Sequence, residues 1–220
     1  MTLSFLRPAI LIALAAASLA GCGGKATFEI TGSVTGLKYP GLVLVETISG
    51  QTITINDITK TAFAFPNTIE YGTEYNVIVR ATPSGQPPHQ NCVPVGATSD
   101  SAGRRAAITM GFDCTDNPHT VGGSIKLSTA TGSYVGLKLI NGSNDLNPFV
   151  VTDATAQTSY AYPGVTFDTP YGIRIFSQPT DPTTTCQLVP KVATAGAGPE
   201  YVSGRMGDVD IVIDVVCAKA

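Results

Sequence analysis

Five cysteines carry the strongest chemical signal in this sequence of 220 residues. They are Cys22, Cys92, Cys114, Cys186 and Cys217. No two of them are spaced Cys-x-x-Cys, so structural disulfide bonds are favoured over redox catalysis. An odd number in an exported protein indicates that one cysteine has a separate use. The remaining four are enough for two bridges in an oxidising compartment.

The first 21 residues have the features of an export signal. Arg7 gives a weakly positive start, and the apolar run from Ile10 to Ala20 is shorter than the ~20 residues that a membrane-spanning helix needs. Small residues at Ala20 and Gly21 then precede the thiol of Cys22. We therefore expect a signal peptide over residues 1–21.

The stretch Leu19-Ala20-Gly21-Cys22 resembles the lipobox of bacterial lipoproteins. The resemblance implies that cleavage makes Cys22 the first residue and that its sulfur carries a diacylglycerol thioether, with acylation of its amine by a fatty acid such as palmitate. Gly23, in place of an aspartate, favours the outer membrane. The alternative is an ordinary secretory signal that happens to precede a cysteine.

The two histidines offer little support for catalysis or a metal site. His89 follows Pro87-Pro88 and His119 follows Pro118, which predicts two solvated loop residues. A metal site needs further ligands, and none is predicted once the cysteines are paired. No serine lies in a Gly-x-Ser-x-Gly elbow, so no catalytic residue is predicted. No cofactor is expected either.

Acidic residues near the C-terminus raise the question of calcium. Asp208, Asp210 and Asp214 alternate along one predicted strand, whereas calcium takes six to eight oxygens from a curling loop. Asn144-Asp145 is a second candidate, which we interpret as a turn. Five tyrosines are candidates for stacking on sugars: Tyr71, Tyr134, Tyr160, Tyr162 and Tyr201. Packing is favoured instead, because the sequence has no tryptophan and Tyr160 and Tyr162 match Phe63 and Phe65 of the other copy.

Composition indicates short strands joined by turns. Arg7 is the one charged residue of the leader, so the mature chain keeps 16 acidic and 12 basic residues, a net charge of about −4. This balance argues against a nucleic-acid partner, which needs clustered positive charge. Charged residues are sparse while glycine and proline are frequent, and no helical periodicity appears after the leader. The mature protein is predicted to be all-β.

The mature sequence contains two copies of an internal repeat, and the matching segments occur in the same order in both copies. Each copy holds one cysteine in its later part and ends on a second. The matched segments are Gly32-Ser33-Val34 with Gly123-Ser124-Ile125, Gly41-Leu42-Val43-Leu44 with Gly136-Leu137-Lys138-Leu139, Phe63-Ala64-Phe65-Pro66 with Tyr160-Ala161-Tyr162-Pro163, and Tyr75 to Val79 with Tyr171 to Ile175.

Alternation of apolar and polar residues predicts half-buried strands. Four rows of residues are expected to face inward: Ile108, Met110, Phe112 and Cys114; Val209, Ile211, Ile213, Val215 and Cys217; Tyr75, Val77, Val79 and Ala81; and Tyr171, Ile173 and Ile175. Such strands are stable when two sheets close over a shared core.

The segment from Ile30 to Val79 resembles a carboxypeptidase-regulatory, prealbumin-like sandwich. Its Gly72-Thr73-Glu74-Tyr75-x-Val77 portion is equally similar to the penultimate strand of fibronectin type III modules. Either resemblance implies a seven-stranded, Ig-like antiparallel sandwich, and the two differ in strand order. Copy two has Asp168-Thr169-Pro170 in place of the Gly-Thr-Glu lead-in. The paired-cysteine ending is similar to repeats in bacterial lipoproteins of unassigned function.

We therefore predict a signal peptide over residues 1–21 and a lipidated tether over 22–26. Two β-sandwich repeats follow over 27–115 and 119–218, and each is expected to fold by itself. Each repeat contains two cysteines, and antiparallel pairing of the strands that carry them predicts disulfide bonds Cys92–Cys114 and Cys186–Cys217.

Two functional hypotheses remain open. The first is a non-enzymatic binding or structural module of the cell envelope, attached to the membrane through the lipid on Cys22. Its partner would be an envelope protein or a glycan. The second is an envelope enzyme with a site at the cleft between the repeats, which converging carboxylates, or a carboxylate with a histidine, would favour.

Overall fold

The computed structural model describes residues 24–82, 84–128, 132–142, 148–191 and 196–219. Cys22 and Asn144-Asp145 lie outside these residues. Strands are the regular secondary structure throughout the described chain, which confirms the predicted all-β class. None of the described residues belongs to a helix long and apolar enough to cross a membrane.

The chain divides into two compact units. The first unit contains the residues up to Gln86 and Cys92–Cys114, and the second contains Pro87–Asn91 and the residues from Thr115 onward. The short segment 87–91, which ends in the first two residues of β8, thus groups with the second unit although it belongs to the first repeat in sequence.

The first unit is built from two four-stranded sheets and a two-stranded ribbon. Its described strands are β1 (Thr27–Phe28), β2 (Ile30–Thr35), β3 (Leu42–Glu46), β4 (Thr52–Ile55), β5 (Ala62–Ala64), β6 (Ile69–Glu70), β7 (Glu74–Val79), β8 (Gln90–Val95), β9 (Ser99–Ser101) and β10 (Ile108–Asp116). The sheet orders are β5-β2-β10-β8 and β4-β3-β7-β9, and β1 pairs with β6.

The second unit repeats this plan. Its described strands are β11 (His119–Leu127), β12 (Lys138–Asn141), β13 (Phe149–Val150), β14 (Ser159–Val165), β15 (Pro170–Ser177), β16 (Thr184–Pro190), β17 (Gly196–Ala197), β18 (Tyr201–Arg205) and β19 (Ile211–Lys219). The sheet orders are β14-β11-β19-β16 and β13-β12-β15-β18-β17. Apart from β17, each strand holds the place of its counterpart in the first unit, so the sequence repeat is a structural repeat.

Two features differ from the expected seven-stranded antiparallel sandwich. Each unit has a further sheet strand, β9 or β18, which follows the strand that carries the first cysteine, and the described residues add the β1–β6 ribbon in the first unit and β17 in the second. In each unit the first long strand also pairs in parallel with the last strand, as β2 does with β10 and β11 with β19. No short turn joins these two strands. The chain between them runs through most of the unit, and a connection of that length allows the two strands to pair in parallel.

Each unit has its own apolar core between its two sheets. Ile30, Leu44, Val77 and Phe112 are fully buried in the first unit, and the second unit has an equivalent set around Val121, Leu139, Ile173 and Ile213. The four predicted inward rows are mostly correct. The prediction that Val209 faces inward is wrong. Its side chain is 68% exposed, and it lies two residues before β19 begins. Ala81 is also exposed, since β7 ends at Val79.

Candidate binding face of the second unit

The outward face of the β13-β12-β15-β18-β17 sheet presents an exposed group of aromatic and basic side chains. Alternation along β15 buries Tyr171, Ile173 and Ile175 in the core. The intervening residues Arg174 and Phe176 therefore point to solvent. Phe176 keeps 44% of its surface exposed, which is unusual for a phenylalanine in the middle of a sheet.

Two cations lie over the ring of Phe176. The Nζ of Lys138, on the neighbouring strand β12, is 4.3 Å from the ring centroid. The guanidinium carbon of Arg174 is 5.7 Å from the same centroid. Both distances are within the range of cation–π attraction, so the phenyl ring holds the two basic side chains on one side of the sheet.

Tyr201 completes the group from the other side of β15. It lies directly across from Arg174 in the antiparallel β15–β18 pair and is 47% exposed. Its ring lies over Gly172, where an added Cβ would be 3.3 Å from the phenolic oxygen. A shallow concavity of about 530 Å³ lies beside this ring, lined by Pro170, Gly172, Arg174 and Tyr201 among others.

The charges of this face are only partly neutralised. Arg205 at the end of β18 forms a salt bridge with Asp168 at 3.0 Å and donates to the Asp168 carbonyl oxygen at 2.6 Å. Within the described part of the chain, neither Lys138 nor Arg174 forms such a bridge. We call Lys138, Arg174, Phe176 and Tyr201 the basic–aromatic face. It can hold an anion against aromatic rings.

Sequence reasoning missed this face. Tyr201 was expected to pack in the interior with the other tyrosines. Tyr134 and Tyr160 are indeed buried and Tyr162 is half-buried, but Tyr71 and Tyr201 are exposed. The sequence does contain a signal for this face: in β15, Arg174 and Phe176 alternate with the buried residues and therefore share the outward side of the strand.

The expectation of two solvated loop residues is met only in part: His89 lies in a turn, His119 lies in a strand, and neither side chain is fully solvated. His89, within segment 87–91 of the second unit, stacks on Phe167 with ring centroids 3.4 Å apart and bonds to Asp208 through Nδ1. His119 begins β11, and its Nδ1 is 3.7 Å from Asp210. Their side chains are 18% and 16% exposed. The stack on Phe167 covers His89, and each histidine faces an aspartate.

The three aspartates considered for calcium have separate partners. Asp208 and Asp210 face the histidines, and Asp210 also accepts from the Thr120 amide at 2.8 Å. Asp214 accepts from the Ser124 amide and hydroxyl at 2.9 and 2.7 Å. Burial raises the pKa of Asp214, but these hydrogen bonds and the nearby lysines outweigh it and hold the pKa below its usual value. No cluster of metal-ligating side chains occurs in the described ranges.

Each unit contains one disulfide bond. Cys92 is bonded to Cys114 and Cys186 to Cys217, and each bond joins the last strand of its unit to the neighbouring edge strand. All four cysteines are at most 4% exposed. The bonds are therefore part of the cores.

A glutamine amide supports each of these bonds in the same way. Gln86 accepts from the Cys92 amide at 2.7 Å and donates to the Cys92 carbonyl at 3.0 Å. Gln178 makes the equivalent pair with Cys186 at 2.9 and 3.1 Å. Sequence reasoning missed both glutamines, since they lie six and eight residues before their cysteines.

Glu46, at the end of β3, is a buried carboxylate that the sequence did not single out. It is 1% exposed and accepts hydrogen bonds from the amides of Ile48, Ser49 and Asn76 and from the Ser49 hydroxyl. Burial raises the pKa of Glu46, yet the four donors outweigh burial and the pKa lies below its usual value. The donors are structural groups, so Glu46 organises the β3–β4 turn.

Other concavities on the described residues hold few ionisable groups. One of about 730 Å³ lies on the first unit, over residues of β2 and β10, and Arg105 is the one ionisable side chain that lines it. Another of about 470 Å³ lies between β4 and β5 and contains Asp57 and Lys60. Asp57 is occupied by Thr59, whose hydroxyl and amide hold its pKa below its usual value.

No protein-family model matches the sequence, and no curated protein sequence matches it significantly. Among solved structures, the chain is similar to the Bacillus anthracis TIE protein, with 9% identity and a TM-score of 0.47 over 89% of this chain and 34% of that one. The chain thus spans about a third of that protein's length.

Two further solved structures resemble the chain over most of both lengths. The major pilin protein T3.2 from Streptococcus pyogenes has 9% identity and a TM-score of 0.31, with 89% of this chain and 98% of that one covered. An adhesin from Mobiluncus mulieris with intramolecular disulfide, isopeptide and ester cross-links has 8% identity, a TM-score of 0.37, and coverages of 91% and 87%. Likenesses at this level say nothing about activity or partners.

Proposed function

We propose that this protein is a lipid-anchored, non-enzymatic binding module of the bacterial cell envelope, and that its second unit binds an acidic glycan. The observation that carries the proposal is the basic–aromatic face, where Arg174 and Lys138 are held beside Phe176 and Tyr201 in the open. The glycan is the partner whose chemistry fits both components of this face.

Acidic sugars combine two groups that the face can satisfy together. Their ring C–H faces are apolar and pack on exposed aromatic rings, which gain little from water. Their carboxylates form charge-assisted hydrogen bonds, for which the planar guanidinium of Arg174 is suited. The concavity beside the Tyr201 ring is the place where one sugar ring would bind.

The charge of the whole chain favours a local site over a general attraction. The mature chain carries a formal net charge of about −4, so a polyanion is attracted only where basic groups lie away from acidic partners. Among the described residues, Arg174 and Lys138 are such groups. Their attraction is screened by salt, because both side chains are in contact with solvent.

Lipid attachment at Cys22 is supported by the fate of the other cysteines. Both disulfide bonds lie within the units, so Cys92, Cys114, Cys186 and Cys217 need no further partner. Cys22 is the cysteine left over, at the position that the lipobox resemblance gives to the lipid. The first strand begins at Thr27, so the tether is short and the first unit would lie near the bilayer surface.

A binding measurement tests the glycan half of the proposal. The mature chain from residue 23, exported so that both disulfides form, is titrated with polygalacturonate and, as a neutral control, with dextran. Polygalacturonate should bind, with an affinity that falls as salt is raised, and dextran should not. Arg174→Gln should weaken binding by about tenfold or more, since hydrogen bonds to charged groups contribute ~1.5–3 kcal/mol.

The matched control is Arg104→Gln, which removes the same charge from the first unit. Arg104 is 74% exposed and pairs with Asp100 at 3.1 Å. Its loss should leave the affinity unchanged. Equal affinities of wild type and Arg174→Gln would refute the site, and shortening of the glycan during incubation would refute a non-enzymatic role. Labelling with a palmitate analogue tests the anchor, because Cys22→Ala should lose both label and membrane association.

A further inference from the structure

The two strands at the ends of each unit lie side by side and run in the same direction. β2 pairs with β10 from Ile30 opposite Ile108 to Thr35 opposite Asp113. β11 pairs with β19 from Val121 opposite Ile211 to Leu127 opposite Cys217. The chain enters each unit near the first of these strands and leaves it from the second.

This direction decides how tension along the chain would act. In a parallel pair, the start of the first strand and the end of the last strand lie at opposite ends of the pair. Pulling on the two chain ends therefore slides one strand along the other and loads all their hydrogen bonds together. In an antiparallel pair the same pull would separate the strands from one end, one bond at a time.

Side-chain hydrogen bonds reinforce the parallel pair in both units. In the first unit, the hydroxyl of Thr31 donates to the Ile108 carbonyl at 2.9 Å and that of Thr35 donates to Asp113 at 2.6 Å. In the second unit, the Asp214 carboxylate of β19 holds both the amide and the hydroxyl of Ser124 on β11. These bonds cross the contact between the two parallel strands, which tension would shear.

The matched glycines of the repeat, Gly32 and Gly123, lie in this contact between the two parallel strands, which we call the seam. A side chain at Gly32 would collide with the Met110 carbonyl, and one at Gly123 would collide with the Ile213 carbonyl. Each glycine lets the two backbones approach closely at the middle of the pair. The Gly-Ser-Val and Gly-Ser-Ile segments of the sequence repeat therefore belong to this seam.

The disulfide bonds fix the other side of the last strand. Cys114 lies two residues before the end of β10 and Cys217 two before the end of β19, and each is bonded to the neighbouring edge strand. Only two residues of the strand therefore separate its C-terminal end, where tension is applied, from the disulfide bond. The last strand is thereby held to its neighbour, and the parallel pair is the seam that must yield.

We propose that each unit resists tension applied between its chain ends, with the parallel strand pair as its mechanical clamp. The first unit would then transmit force between the bilayer and the ligand-binding unit, a role that rests on the proposed function. The mechanical property itself depends only on the fold.

Single-molecule pulling on the mature chain tests the proposal. With handles at the two chain ends and the disulfides intact, two unfolding events are expected. Reduction should lengthen the two released segments by about 8 and 11 nm, because the bonded cysteines are 22 and 31 positions apart and each position extends by ~3.5 Å. These increments assign each event to its unit.

The decisive comparison changes the direction of the pull on the same bonds. One handle stays at the N-terminal end and the other is inserted in the exposed loop between Arg105 and Ala106, just before β10. Pulling between these two points loads β2 and β10 from the same end. The first unit should then unfold at a severalfold lower force than with handles at the chain ends, since forced unfolding follows the unfolding barrier along the pull.

Side-chain variants give a second readout. Ser124→Ala should lower the unfolding force of the second unit, while Ser159→Ala, across from Ser124 on the other neighbouring strand, should not. Equal forces in the two pulling directions would overturn the proposal. If the inserted handle prevents folding, an unchanged force in Ser124→Ala overturns it. Failure of glycan binding or of lipid labelling would refute the proposed function and leave these forces as they are.

Discussion

Glu46→Gln is predicted to destabilise the first unit, because a single buried carboxylate ties three segments together. Its two oxygens accept from the turn residues Ile48 and Ser49 and from Asn76 on β7. The amide of glutamine has nearly the same shape but offers one acceptor oxygen. Two of the four donors would then face an NH₂ group.

The expected size of the effect follows from those two donors. The four hydrogen bonds are part-buried, and each contributes a net ~0.5–1.5 kcal/mol, so loss of two should lower the free energy of unfolding of the first unit by about 1–3 kcal/mol. That is a large fraction of the roughly 5–15 kcal/mol typical of a domain. Urea unfolding of the mature chain measures it. Hydrogen exchange of peptides over residues 42–56 and 74–79 assigns the loss to this unit.

The effect should also depend on pH in a defined direction. The pKa of Glu46 lies below its usual value of 4.5 in the folded chain, so the folded state favours the charged carboxylate. This stabilisation is complete above the unfolded pKa and is lost as pH falls through the folded pKa. The difference between wild type and Glu46→Gln should therefore be constant near neutrality and shrink as pH falls below 4.5.

Glu74→Gln is the matched control, since Glu74 is an exposed glutamate on β7. It should leave the stability of the first unit within about 0.5 kcal/mol of wild type. A loss in Glu46→Gln no larger than in this control would refute the reasoning. A difference that persists undiminished at low pH would refute the charge argument alone.

Three further predictions concern the cysteines and the close strand contact. Replacement of Cys186 and Cys217 by alanine together should lower the stability of the second unit by about 3–4 kcal/mol through loss of the 31-residue closure, and non-reducing peptide mapping should still find the first bond intact. Gly123→Ala should cost about 1–3 kcal/mol of unfolding free energy by collision with the Ile213 backbone, whereas Gly207→Ala, with nothing within 4 Å, should be near neutral. Cys22→Ala protein that remains in the membrane fraction would contradict the proposed anchor.

The repeat and the alternation of apolar residues were sufficient to predict the fold class. Inward rows such as Ile108, Met110 and Phe112 depend only on the two-residue period of a strand, which the sequence displays directly. Val209 was misplaced because the alternation continues past the point where β19 begins. The two-residue period predicts which side of the sheet a residue faces. It does not predict the residue at which the strand begins.

The parallel pairs and the buried polar groups could not be predicted in the same way. Pairing of β2 with β10 joins residues 77 or more positions apart, and no turn between them sets the direction. Glu46 gains its role from the Asn76 amide on a distant strand. Its counterpart Asn141, which accepts from the Gly172 amide at 2.9 Å, would have revealed the position had the repeat been extended by two residues.

The candidate face was hidden for a related reason. Tyr201 and Arg174 are 27 positions apart, and only the β15–β18 register brings them together. The sequence shows that Arg174 and Phe176 share one side of a strand. It does not show that Lys138 and Tyr201 flank them, because cross-strand neighbours depend on register and loop length.

Hydrogen exchange of the mature chain with and without an acidic oligosaccharide tests directly whether the basic–aromatic face binds acidic glycans. Bound oligogalacturonate should slow exchange in the peptides that cover Pro170–Ser177 and Tyr201–Arg205, and leave the first unit unchanged. Arg174→Gln should abolish that protection. Protection confined to the concavity over β2 and β10 in the first unit, or no protection at saturating oligosaccharide, would contradict the assignment of the basic–aromatic face as the binding site.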